Sequence, residues 1–424
     1  MPGRPPPHTS NSWTAWPPSE RTSPAPRSTC APPPTPARHR LRPPCPPHLP
    51  PQPHPVPADP LPRSVPIPSH TPARRAALLL TSLATVTLTA SACTTSDTDS
   101  HDATTKAAHT ASPAPAAVPA LTKQEALAQI THYSEINNEA NADNDRTLLD
   151  TIEDGPLYAM SVADYKEDEG LPRADRRPYK PWSYDTANAK LYIPRFTAGQ
   201  ERWFATALSG RKGKDPNRLA VFAEQPEHKR WEMVSVVDLD NKTLPDIDLD
   251  QHGYATAVAP TGNKQLAADA DLLRTAVIDN FATGGVNTGT KVFTPTTPSK
   301  QQIKVHDKTT KKYGKLGTTV FAGAANRYQD AYALKTTDGG ALILFAHTHT
   351  QTDAVAHSGL QINPGKDDRA WLHGIPRTSV TYTFVCSDAA TVLAKAAPSH
   401  LIGYTCARTD ASGPPVASAL TTRS

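Results

Sequence analysis

Methionine is scarce in this 424-residue chain: only Met1, Met160 and Met233 are present. An alternative start just ahead of the export-type segment described below would therefore need a non-standard codon. There are five cysteines, Cys30, Cys45, Cys93, Cys386 and Cys406, and no CxxC pair among them. GxSxG and HExxH are missing too. The glycine-lysine stretch Gly210-Arg211-Lys212-Gly213-Lys214 lacks phosphate-loop spacing and reads as a basic hairpin loop. No motif implies a cofactor. No run beyond the N-terminal quarter approaches the roughly 18 apolar residues of a membrane span. The formal charge is +4, but residues 1–92 hold nine Arg against Glu20 and Asp59, a balance of +7, so the remainder is 4 − 7 = −3. A near-neutral folded part gives no electrostatic footprint for nucleic acid.

Proline is abundant: 45 in all, 26 of them between Pro2 and Pro72. Such a stretch cannot bury enough apolar surface to offset its ordering entropy. Residues 1–72 therefore read as a disordered leader, or as a gene-start error with initiation at a GTG codon for Val65. Residues 73–92 then read as a signal peptide. Arg74-Arg75 form a positive start, Ala76 to Ala90 run 15 residues without a charge, and small residues Ser91-Ala92 precede Cys93. The stretch Leu88-Thr89-Ala90-Ser91-Ala92-Cys93 resembles a lipobox, with Ala90 where an aliphatic residue is usual. This resemblance implies that the Cys93 thiol is diacylated and becomes the mature N-terminus. The alternative is an ordinary signal peptide that leaves a free cysteine. Residues 93–119 follow as a Thr-, Ser-, Ala- and Pro-rich linker, suited to holding a domain off a membrane. Two or more acyl chains, each contributing about 0.8 kcal/mol per buried methylene, give a stable anchor. The expected location is the extracytoplasmic face of the cell membrane.

Outside the cytoplasmic membrane, the remaining pair, Cys386 and Cys406, is expected to form a disulfide. A redox-active pair is the other reading.

The folded part reads as an α+β protein of two related halves, 120–255 and 256–412, before a tail at 413–424. In the first, Leu121 to Asn138 shows helical spacing (Ala126, Leu127, Ile130, Tyr133, Ile136) with a Thr122/Glu125 capping box. A short helix follows after Asp145 and stops at Gly155. Strands are expected at Leu157–Tyr165, Ala189–Phe196, Glu201–Leu208, Arg218–Glu224 and Arg230–Leu239. The second half repeats the order: a helix over Asn263–Phe281, then strands at Thr318–Ala324, Ala331–Thr336, Ala341–Thr350, Ser379–Cys386 and Leu401–Ala407. Asp338-Gly339-Gly340 reads as a hairpin turn, and Asp388 to Ala397 as a short helix.

A helical pair, then Asp154-Gly155-Pro156-Leu157, then an antiparallel meander resembles the cone-shaped α+β superfamily typified by nuclear transport factor two. His132-Tyr133, Asn137-Asn138 and Leu148 to Ile152 are similar to that superfamily's opening. The resemblance implies a pocket between helix and curled sheet, but no particular activity. The whole chain also resembles uncharacterised lipoproteins of high-GC actinobacteria, which share a lipobox, a linker and such a domain.

Candidate site residues follow. His347 and His349 alternate on one strand, so both imidazoles face one side and could share a metal, with Asp353, His357, His306 and Asp307 nearby. The plainer reading is an exposed strand face near a sheet edge. His132, Tyr133 and Asp150 are pocket candidates, where a His and a carboxylate can act as an acid–base pair. Arg176 to Trp182 either binds a partner or covers the sheet. Three functions are compatible with this pattern: a non-catalytic module that binds an envelope ligand or protein, an enzyme with an acid–base pocket, and a metal-binding surface module.

Overall fold

In a computed structural model, the described residues are 116–416, without 177, 211–215, 241–243 and 395–396. The leader, signal segment, Cys93 and most of the linker lie outside them, as do the basic loop at 211–214, Asn241-Lys242-Thr243 and the tail beyond 416.

The chain enters through β1 (Val118–Pro119) and α1 (Lys123–Asp143). The Thr122 hydroxyl accepts from the Glu125 N–H while the Glu125 carboxylate accepts from the Thr122 N–H, which is the expected capping box. Asp145 caps α2 (Arg146–Leu149). The expected strand at Leu157–Tyr165 is instead α3 (Gly155–Gly170). Gly155-Pro156 opens this helix, where proline's missing N–H costs nothing. Leu157, Met160 and Ala163 are buried at intervals of three, a helical period that a strand would not give.

The first sheet has strand order β2-β4-β5-β6: β2 (Lys190–Tyr192), β4 (Trp203–Leu208), β5 (Arg218–Glu224) and β6 (Trp231–Asp238), all antiparallel. Between β2 and β4, β3 (Arg195–Phe196) pairs with β1. β4 and β5 are buried along nearly their whole length. Phe204 and Phe222 stack at a centroid distance of 4.9 Å on adjacent strands.

The second half opens with α4 (Ala270–Thr283), shorter at its start than the expected Asn263 helix because Asp269 caps it; Gly284, in the left-handed region, ends it. Two helices follow, α5 (Gly289–Val292) and α6 (Thr297–Thr309). The second sheet has order β11-β10-β9-β7, with β8 also on β9: β7 (Gly317–Gly323), β8 (Ala331–Lys335), β9 (Ala341–Val355), β10 (Ser379–Val392) and β11 (His400–Ser412). The turn at Asp338-Gly339-Gly340 joins β8 to β9. A short α7 (Arg369–Leu372) precedes β10.

The expected helix at Asp388–Ala397 is also corrected: β10 continues through Val392, with Asp388 to Val392 paired to β9. The reason is two-sided burial of β9 and β10. Leu342 and Leu344 of β9 pack into a core shared with β4, β5, β6 and α1, whereas Ile343 and Phe345 pack beneath α4. A strand buried on both faces reads as a continuous apolar run and loses the alternation that would mark it. The shared core joins residues of both halves. Leu239 at the end of the first sheet forms a β-bridge with Gly403 of β11. There a Cβ on residue 403 would lie 2.4 Å from the Asp238 carbonyl oxygen.

Candidate functional site

Two polar clusters are buried in the fold, one in each half. The first lies between α1, α3 and the first sheet. Tyr133 and Asn137 occupy successive turns of α1, and both donate to Oε1 of Glu153, at 2.6 and 3.1 Å. Glu153 is held in place by its own backbone, which bridges to Met233 of β6 just before α3 begins. The Ser161 hydroxyl also faces the carboxylate. All three core members are under 6% exposed. Burial is the main effect on Glu153 and pushes its pKa up to about 7, against the hydrogen bonds from Ser161, Tyr133 and Asn137. Burial, with the Glu153 charge beside it, likewise raises Tyr133 well above the usual tyrosine range. Asn141, Tyr165, Tyr184, Trp182 and Arg218 complete the cleft. Its interior holds about 30 Å³, room for one or two waters rather than a substrate.

The pocket candidates divide here. Tyr133 is in the cluster. His132 and Asp150 are exposed and take no part in it, so the His–carboxylate pair expected of them is not assembled. Glu153 was not singled out from sequence. Its only signal is a carboxylate placed just ahead of Gly155-Pro156. Within the Arg176 to Trp182 stretch, Tyr179 and Trp182 act as cover: Trp182 packs on the core, and Asn138 Oδ1 accepts from both the Tyr179 hydroxyl and the Trp182 N–H.

The second cluster lies under α4 and α6 on β9, β10 and β11. His347 and His349 do face one side, as alternation requires. They are 0% and 3% exposed on an interior strand, so the exposed-edge reading is corrected. β9 runs between β10 and β7, with β8 alongside its first residues, so it is not an edge strand, and Phe281 of α4 covers the face that the imidazoles share. Nδ1 of His347 lies 2.5 Å from Asp388 Oδ2, and Nε2 lies 3.1 Å from His349 Nδ1. Gln302 of α6 reaches Asp388 Oδ1 at 3.5 Å, and Asn280 of α4 donates to Gln302 at 2.8 Å. Phe281 stacks on His349 at 4.2 Å between centroids. Burial, then the neighbouring His347, holds His349 well below the ordinary histidine range.

Cys386 and Cys406 are register partners on β10 and β11 and form the expected disulfide, with Cα atoms 4.1 Å apart. The His349 ring lies 3.9 Å from the Cys386 sulfur. The sulfurs are bonded to each other, and the imidazoles are paired with each other and with Asp388. The other sequence candidates stay apart from it. Asp353 is buried but occupied by Tyr313 and Thr319. His306 contacts the Phe281 carbonyl, and His357 is exposed.

A third feature is an open surface groove between α3 and α7, lined by Lys166, Glu169, Gly170, Arg369, Ala370 and His373. Its volume is about 530 Å³, widely open to solvent. Among the described residues, no helix is long and apolar enough to cross a membrane.

Residues 117–413 match a family described as a domain of unknown function, DUF8094. An uncharacterized lipoprotein of Streptomyces coelicolor is 73% identical over 308 residues, 73% of this chain and 87% of the relative. A second uncharacterized lipoprotein of that organism is 24% identical, covering 64% of this chain and 80% of the relative. One from Streptomyces avermitilis is 27% identical, over 64% and 79%.

Proposed function

This chain belongs to the DUF8094 family, and from that membership we propose that it is an envelope lipoprotein, held to the membrane by acyl chains on Cys93, whose folded part binds a ligand or protein and carries out no chemistry. The observation behind it is the coincidence of the lipobox-like segment ending at Cys93 with relatives named as lipoproteins. Most polar groups of both buried clusters are paired within the cluster, as Tyr133 and Asn137 are with Glu153 and His347 is with Asp388, which suits a scaffold. The resemblance to the cone-shaped superfamily is part of the same proposal: α1 and α3 lie against the sheet β2-β4-β5-β6 with the Glu153 cleft between them. The binding face of this reading is the α3–α7 groove, where the cations Lys166 and Arg369, set against the one carboxylate Glu169, favour an acidic partner.

Replacing Cys93 by Ala should move the protein from membranes to the soluble or secreted fraction and abolish metabolic labelling with a fatty-acid probe. Continued membrane association with unchanged labelling would refute the anchor. For the binding face, Lys166→Glu with Arg369→Glu should lose partners that cross-link to the wild type in envelope extracts; unchanged cross-linking would remove the groove from the proposal.

Glu153 favours a second reading, an acid–base enzyme. A carboxyl poised near neutrality in a cleft is the usual preparation for proton transfer. That reading requires the cleft to open beyond its present 30 Å³ or so. Small substrates that shift the thermal midpoint of wild type but not of Glu153→Gln would support it.

A further inference from the structure

His347, Cys386 and Cys406 stand in one row across β9, β10 and β11, because Cys386 is the register partner of both others. One donor atom from each lies within 4.8 Å of the rest, all of them buried. His349 adds a fourth donor, 3.1 Å from His347 and 3.9 Å from the Cys386 sulfur. His347 gives Nδ1 to Asp388, so Nε2, now in contact with His349 Nδ1, is the nitrogen that would turn to a metal. That is the carboxylate–histidine arrangement that orients metal ligands. Gln302 and Asn280 hold the carboxylate in turn. The surroundings are apolar: Phe281, Phe321, Phe384 and Tyr404 line the same cluster.

The geometry points to a metal site masked by the disulfide: on reduction, the thiolates of Cys386 and Cys406 and the imidazoles of His347 and His349 take one tetrahedral cation of the zinc type. Two thiolates and two imidazoles are a zinc donor set, with metal–sulfur and metal–nitrogen bonds of about 2.3 and 2.0–2.1 Å. Opening the sulfur–sulfur bond frees the sulfurs to part to the separation such a centre needs.

The step balances with a dithiol reductant of the thioredoxin type. It gives two electrons and two protons to the Cys386–Cys406 bond, which breaks to two thiols while the reductant closes to its own disulfide. The cation then displaces the two thiol protons to solvent as two metal–sulfur bonds form. The metal is thereby excluded in the oxidised protein and admitted in the reduced one.

The test uses the full chain with Cys30, Cys45 and Cys93 replaced by Ser, so that Cys386 and Cys406 are its only thiols, oxidised or treated with a phosphine reductant, and titrated with cobalt(II) and then zinc(II). Oxidised protein should show no thiolate-to-cobalt charge-transfer band. Reduced protein should show that band, saturate at one cobalt per chain, and lose it to zinc. Zinc should also protect both thiols from alkylation. Asp388→Asn should weaken zinc binding by roughly 10- to 100-fold without changing the stoichiometry. His349→Gln should weaken cobalt binding while both thiols still titrate. Reduced, folded protein with two free thiols and no cobalt band would overturn the proposal. So would a disulfide that opens only when the circular dichroism of the fold is lost.

Discussion

Glu153 concentrates the proton chemistry of the first half. The folded protein keeps its carboxyl protonated up to about pH 7, whereas an exposed glutamate loses the proton near its ordinary value of 4.5. The stabilisation is therefore complete below about 4.5 and is lost as pH climbs through 7, a swing on the order of 3 kcal/mol. Buried His349 has the opposite slope below its ordinary value of 6.5, so the wild-type curve alone mixes the two. Glu153→Gln imitates the protonated acid and isolates the carboxylate. In denaturant titrations it should match wild type near pH 4 and exceed it near pH 8; parallel curves would remove Glu153 from the pH response. Asp279 supports a different prediction. Its Oδ2 accepts from the N–H groups of Asn287, Thr288 and Gly289, fastening the loop between α4 and α5. Asp279→Ala should cost about 3 kcal/mol, since these are charge-assisted bonds, and equilibrium unfolding would reveal it. At this scale the sequence disclosed only part of the site. Alternation put His347 and His349 on one face. Their partner Asp388 was hidden because Ala389-Ala390 and the residues after it have helical composition.

Among elements, the strands of the first sheet were legible because turn residues bracket them: the expected Arg218–Glu224 and Arg230–Leu239 became β5 and β6 with little change. α6 was not, because Thr297–Thr309 is largely polar and its capping box uses Ser299 in place of the usual acid or amide. α3 was read as a strand because its apolar residues are dense enough to mimic one. The junction between β6 and β11 offers an element-level test. Gly403 is required by the nearness of the Asp238 carbonyl, not by its backbone angles. Gly403→Ala should push the two sheets apart and cost roughly 2 kcal/mol. A thermal midpoint equal to that of wild type would mean that the junction yields freely.

For the whole molecule, the shared core predicts cooperative behaviour. The first sheet and one face of the second bury their side chains in the same cluster, so both halves should unfold in a single transition, seen as coincident fluorescence and circular-dichroism curves. Two separated transitions would show that the halves are energetically independent. The disulfide spans 20 residues, and losing it through a Cys406→Ala, Cys386→Ala pair should lower stability by about 3 kcal/mol.

The short pairing of β1 with β3 has a mechanical consequence. Val118 and Pro119 lie antiparallel to Arg195 and Phe196, Ala120 N–H donates to the Pro194 carbonyl at 2.9 Å, and the Arg202 guanidinium grips the Ala120 carbonyl. Drag on a protein leashed from its N-terminal side arrives at this clasp before it reaches the first turn of α1. The clasp draws on main-chain bonds and on the fully buried Ala120, so the fold takes up tension at a point where little of its core has to move.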